Sequence, residues 1–148
     1  MVKLAIVGAS KLTENCERDA RQICAYIMQY QSYLPKINTV ISGGAKGVDT
    51  VAIEVAKGLG LKTEVFLPEI NKWEGPGGKH GYKYRNLQIV NACDKLYCIT
   101  VPFHKIECYH HGGKKTITHE KTAACWTMER AIDAGKEVKF FVTTDRSG

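Results

Sequence analysis

Ile37-Asn38-Thr39-Val40-Ile41-Ser42-Gly43-Gly44-Ala45-Lys46-Gly47-Val48-Asp49-Thr50-Val51-Ala52 is the stretch that decides the fold. It opens with a short run rich in β-branched residues, which reads as a buried strand. Three glycines in five residues follow and break that strand. Val48, Val51, Ala52, Val55 and Leu59 then recur at helical spacing, and Gly58 and Gly60 supply a stop. A strand that turns through glycines into a helix is half of a βαβ unit.

The same unit recurs on both sides. Val2–Val7 is an apolar first strand ending at Gly8-Ala9-Ser10. Thr13 is a candidate N-cap, with Glu14 and Glu17 in the first turn. Cys16, Ala20, Ile23, Ile27, Tyr30 and Leu34 form one helical face that Pro35 closes. Downstream, Lys62–Leu67 reads as a third strand and Pro68–Gly81 as a glycine-rich loop. Tyr84, Leu87 and Val90 mark a third helix, and Lys95–Val101 a fourth strand. The segment from Pro102 to Lys121 reads as a long polar loop. Ala124, Met128, Ala131 and Ala134 suggest a last helix ended by Gly135, and Val138–Val142 a fifth strand. Strands alternating with helices predict an α/β fold, a mostly parallel five-stranded sheet with helices on both faces. Ligands of such sheets sit at the carboxyl ends of the strands, near the switch point in strand order.

The 148 residues suit one domain. The composition, 44% hydrophobic and 24% charged, excludes disordered and fibrous classes. No apolar run reaches the roughly 18 residues of a membrane span, and the opening strand is too short for a signal peptide. The expectation is a cytoplasmic protein with no membrane partner. Lys and Arg number 21 against 15 Asp and Glu, a formal net charge of +6. That balance favours anionic partners such as phosphates, nucleotides or nucleic acid. A merely soluble surface would carry the same charge. Six scattered cysteines argue against a disulfide framework. Cys16 and Cys24 read as core fillers, and Trp126 and Met128 as helix packing.

In the glycine turn, residues without Cβ allow close backbone approach, and the following helix start offers unpaired N–H groups to an anion. Lys46 can add charge. The spacing fits neither a Walker loop nor the dinucleotide fingerprint. A tight strand–helix turn with no ligand would look the same, and Asp49 could simply stabilise the first helical turn.

Ser42-Gly43-Gly44-Ala45-Lys46-Gly47-Val48-Asp49-Thr50-Val51-Ala52 resembles the SGGAxGVDxxA signature of the SLOG superfamily. That superfamily takes in the Rossmann-like domain of DNA-processing protein A and the lysine-decarboxylase-like LOG phosphoribohydrolases. Ile6-Val7-Gly8-Ala9-Ser10 is similar to its opening IVGSR, and Arg85-Asn86 to the RN pair of its third helix. Thr122-Ala123-Ala124-Cys125-Trp126-Thr127, with Ala131 and Gly135, resembles SGSxxTAxxAxxxG. The resemblance implies a Rossmann-like three-layer domain over residues 1–148, with a His/Cys-rich insertion at about 102–121; a departure from DNA-processing protein A is expected in that its extra winged-helix region is not read in this sequence. It implies a nucleotide or nucleotide-derived phosphate ligand held by Gly8, Ser10, Gly43, Gly44, Lys46, Gly47, Arg85, Asn86 and Thr122, with Asp49 in the pocket. With the exposed edges of such a sheet, it also implies a homodimer. Gly112-Gly113-Lys114-Lys115-Thr116 faintly echoes the PGGxGTxxE motif of the LOG enzymes, with His119 where their Glu would fall. A hydrolase acting on a nucleoside phosphate or ADP-ribose type bond would draw on Asp49 and His119 as acid and base.

His104, Cys108, His110, His111, His119 and Cys125 crowd into one loop and the next helix. Thiolate and imidazole donors suit zinc, and Cys108, His110, His119 and Cys125 are the candidate ligands. An exposed histidine loop beside a buried Cys125 is the alternative. Trp73 sits among Lys72, Lys79, His80, Tyr82, Lys83 and Tyr84. It reads as a capping aromatic beside solvated lysines, or as a surface that stacks the bases of single-stranded nucleic acid.

Overall fold

The computed structural model describes residues 2–30, 36–102, 107–108, 116–120 and 122–143. Strand β1 (Val2–Gly8) lies at the centre of the sheet, and its side chains alternate between two cores. Val2, Leu4 and Ile6 enter one cluster, and Ala5 and Val7 the other. Burial on both faces explains why this strand reads as an unbroken apolar run.

Helix α1 (Glu14–Tyr30) begins on the predicted cap: the Cys16 N–H donates to Thr13 Oγ1 at 3.2 Å. Its buried stripe is Cys16, Ala20, Cys24, Ile27 and Met28. Leu34 and Pro35, expected to end it, lie outside the described residues. Strand β2 (Ile37–Ser42) runs through the glycine turn into α2 (Val48–Gly58), and β3 (Lys62–Val65) follows. Gly60 ends α2 at φ 77, its N–H bonded to Lys57 O and that of Leu61 to Ala56 O. This two-bond cap needs a left-handed residue, which is why glycine stands there.

Helix α3 (Tyr82–Ala92), strand β4 (Lys95–Thr100), helix α4 (Ala123–Asp133) and strand β7 (Glu137–Val142) complete the main unit. Residues expected to form only a loop after β4 instead include β5 (Glu107–Cys108) and β6 (Thr116–Glu120), an antiparallel pair. The run Thr116-Ile117-Thr118 carries three β-branched residues, which favours extended backbone.

The large sheet has the order β3-β2-β1-β4-β7, and every pairing in it is parallel rather than mostly so. Helices α1 and α2 pack over the cluster that holds Leu4, Ile6 and Val40. Helices α3 and α4 pack over the one that holds Val7, Ile89 and Met128. The result is the expected Rossmann-like α/β sandwich of three layers. The chain winds outward from β1 to β3, then returns across β1 to β4, so the switch point lies between β1 and β4. No helix among the described residues is long and apolar enough to cross a membrane.

Candidate functional site

A cavity of about 350 Å³ opens at that switch point. Its floor is Val7 and Gly8 at the end of β1, and Ser10 follows on the rim. Ala45 and Asp49 come from the turn and first turn of α2, and Arg85, Asn86 and Ile89 from α3. Thr122, Ala123, Ala124 and Thr127 at the start of α4 form the opposite wall. Pockets for small ligands run from about 300 to 1,000 Å³, so this cavity lies at the small end of that range.

Arg85 and Asp49 form the buried polar heart of the wall, at 6% and 8% exposure. Arg85 Nη1 donates to Gly43 O at 2.6 Å and to Phe66 O at 3.2 Å, and Nε donates to Asn86 Oδ1 at 2.7 Å. Fixed on two main-chain carbonyls, the guanidinium is preorganised. The missing side chain of Gly43 makes this possible. A Cβ there would lie 2.7 Å from Arg85 Nη1 and 2.9 Å from Asp49 Oδ2. Burial pushes the Asp49 carboxyl up to about 6, against the N–H of Ala45 and the charge of Arg85, which pull it down. Burial likewise lowers Arg85 from its usual value, with Asp49 opposing. Arg85 nonetheless stays cationic.

The turn itself differs from expectation. Ser42 Oγ accepts the Gly44 N–H at 3.3 Å and donates to Asp49 O at 3.0 Å. Asp49 Oδ2 accepts the Ala45 N–H at 3.2 Å, and the Val48 N–H reaches Ala9 O at 3.0 Å. Three amides expected to face an anion are therefore taken by the chain itself, because nearby Ser and Asp side chains compete for local donors. Gly43, Gly44 and Gly47 do not line the cavity. They pack against Arg85 and Asp49, against Val65 and Leu67, and against Ala9 and Ser10. Lys46 is exposed and off the wall.

The α4 wall is a second helix terminus at the cavity. Thr122 is its N-cap in extended backbone and makes no side-chain capping bond. The first-turn N–H groups at Ala123 and Ala124 thus lack a side-chain cap beside the cavity, where the helix dipole is positive.

Trp73 closes the rim. Its ring packs edge-to-face on Trp126 of α4, centroids 5.0 Å apart and planes at 81°. The Arg130 guanidinium lies 5.3 Å over Trp126, and that of Arg85 lies 5.6 Å over the Tyr82 ring. Trp126 thus packs between α4 and the loop.

Of the residues singled out in the sequence, the fold brings Gly8, Ser10, Asp49, Arg85, Asn86 and Thr122 to one cavity. Tyr82, Ile89 and Thr127 join them without having been singled out as ligand-binding; Tyr82 was visible only as part of the aromatic–basic run. Cys125 is fully buried on α4, its Sγ 3.6 Å from Thr122 Oγ1. His104, His110 and His111 lie outside the described residues, as do the side chains of Cys108 and His119 on β5 and β6. Among the described residues, no group of three or more His, Cys, Asp or Glu could hold a metal. Cys16, Cys24, Cys93, Cys98 and Cys125 are buried, and no disulfide joins them.

Residues 1–81 match the family model of DNA recombination-mediator protein A. Among solved structures, DNA processing protein A from Streptococcus pneumoniae superposes with a TM-score of 0.61 at 18% identity, over 94% of this chain and 50% of that one. The chain thus spans about half the length of that relative. DNA processing protein A from Helicobacter pylori, described by its single-stranded DNA binding mode, gives 0.59 at 17%, over 98% and 66%. The molybdenum cofactor carrier protein of Chlamydomonas reinhardtii gives 0.59 at 15%, over 95% and 76%. Comparison with curated protein sequences returns no match. These structures share the Rossmann-like fold of this chain.

Proposed function

The chain belongs to the DNA recombination-mediator protein A family, and from that premise we propose that its cavity binds a nucleotide or nucleotide-derived phosphate compound. The observation that carries this reading is the buried Arg85–Asn86 pair facing the uncapped start of α4 across about 350 Å³. A guanidinium and a helix N-terminus lining one space favour an anion there. Thermal melts of the purified chain with mononucleotides, ribose 5-phosphate and inorganic phosphate test it. A nucleotide held at a hundred times its Kd raises stability by about 2.7 kcal/mol. Asn86→Ala should blunt that gain, and a melting point that no nucleotide or oligonucleotide moves would remove the proposal.

A second reading is single-stranded nucleic acid, with one nucleotide of the strand in the cavity. Family membership favours it, as do the net charge of +6 and the exposed Lys72, Trp73 and Lys79 beside the rim. Its signature is steep salt dependence, a slope of about 0.7 per phosphate contacted. Asp49 lines the same cavity with a carboxyl that titrates at about 6, which suits a general acid or base. Release of free base or phosphate, abolished in Asp49→Asn, would convert the binding reading into hydrolysis.

A further inference from the structure

We infer that Trp73 is the base-stacking platform of this cavity, so that the ligand is read at its nucleobase as well as at its phosphate. The inference rests on the cavity being a nucleotide site and deepens that reading, choosing for Trp73 the stacking role over the capping one and placing it at this cavity.

Trp73 lies in a loop, yet its backbone is tied down at both sides. The N–H groups of Glu69 and Ile70 donate to His80 O at 2.9 and 3.0 Å. Those of Tyr82 and Lys83 donate to Lys72 O and Trp73 O at 2.8 and 2.9 Å. Tyr82 Oη reaches Asn71 Oδ1 at 3.2 Å, and Lys83 Nζ meets Glu74 at 2.7 Å. The loop is therefore a strap laced onto the first turn of α3, the helix that carries Arg85.

The ring is fixed as well. Trp126 supports it edge-to-face from the opposite wall, and Arg130, itself held by Glu129 and Asp133, lies over Trp126. Trp73 still leaves 38% of its surface exposed, and the residue is one of those that line the cavity. An indole held rigid and half bare at the mouth of a polar pocket offers a large apolar face at little entropic cost on binding. A planar ring is the partner that covers it best, and a nucleobase is the planar ring that arrives attached to a phosphate. Stacking of this kind tolerates any base, so the platform sets affinity more than sequence preference.

The chain holds two tryptophans, so Trp126→Phe leaves Trp73 as the sole emitter. In that variant, adenosine 5′-monophosphate or oligothymidylate should quench the emission, and ribose 5-phosphate should not. Trp73→Ala should weaken nucleotide binding roughly 5- to 100-fold and leave ribose 5-phosphate affinity within about twofold. Trp73→Phe should recover most of the loss. Tighter Trp73-dependent binding of oligothymidylate than of the mononucleotide identifies a strand as the source of the base, and the reverse order identifies a free nucleotide. Equal losses for nucleotide and ribose 5-phosphate would reduce Trp73 to a packing role. Unchanged nucleotide affinity in Trp73→Ala would overturn the platform and leave the pocket standing. Failure of every probe to bind the wild-type chain would remove the pocket and the platform together.

Discussion

Asp49→Asn asks which of two opposed forces governs the buried carboxyl. Burial raises it from 3.8 to about 6, although Ala45 N–H and Arg85 both favour the anion. Below about pH 3 the proton is bound in folded and unfolded chains alike. Between about 4 and 6 the folded chain holds it more tightly, so stability falls as pH rises through that window and levels off above about 7. At about 1.36 kcal/mol per pH decade, the displacement corresponds to about 3 kcal/mol. Asparagine is neutral throughout, and its Oδ1 still accepts the Ala45 N–H. The variant should therefore sit near the wild type at pH 4 and gain on it steadily, ending about 3 kcal/mol more stable at pH 8. For a chain of this length that is roughly 6–12 °C in melting temperature. Circular-dichroism melts from pH 4 to 8, at constant ionic strength and without phosphate buffer, read the difference directly. A difference that stays flat, or a wild type that gains on the variant as pH rises, would show that the field of Arg85 outweighs burial.

Two further changes probe the same corner. Gly43→Ala puts a methyl group 2.7 Å from Arg85 Nη1 and should cost about 1–3 kcal/mol in urea melts. Gly58→Ala, whose methyl meets nothing within 4 Å at the end of α2, should instead stabilise by about 0.5–1 kcal/mol. The opposite signs separate crowding from backbone entropy. Arg85→Lys gives up the fork that holds Gly43 O, Phe66 O and Asn86 Oδ1. One ammonium cannot reach all three, so the folded chain should lose about 2–3 kcal/mol with its charge unchanged, as chemical denaturation would show.

The fold was legible where burial is continuous. β2 ends at Ser42 as its run of Val and Ile predicts, and α2 starts at Val48, where its apolar period begins. Edges were less legible. Phe66 N–H still bonds to Ser42 O, but β3 stops at Val65, and Leu67 stands 67% exposed. An apolar residue beside a strand does not reveal whether a neighbour covers it. The β5–β6 ribbon escaped notice because His, Gly and Lys dominate that stretch and leave no apolar period to read. For the candidate site, a cavity opens where the switch-point rule puts ligands, and Arg85, Asn86 and Thr122 line it together. Trp73 could not be placed so, because its neighbour Trp126 is 53 residues away in sequence and meets it only in the folded chain.

The glycine turn shows why a motif's residues and the lining of the nearby cavity need not coincide. Small residues there permit close approach, and what approaches is protein: Arg85 and Asp49 at Gly43, and Ala9 and Ser10 at Gly47. Ser42 and Asp49 take the Gly44 and Ala45 amides, so the turn is closed from within. Its product is a guanidinium pinned by two carbonyls that, with Asn86, lines the same cavity as the start of α4. A cation held in place before the ligand arrives loses less conformational entropy on binding than a lysine on an open loop. The strand–helix turn therefore bears on the cavity through Arg85, and under the proposed function an anion would meet α3 and α4 rather than the glycines that made the room.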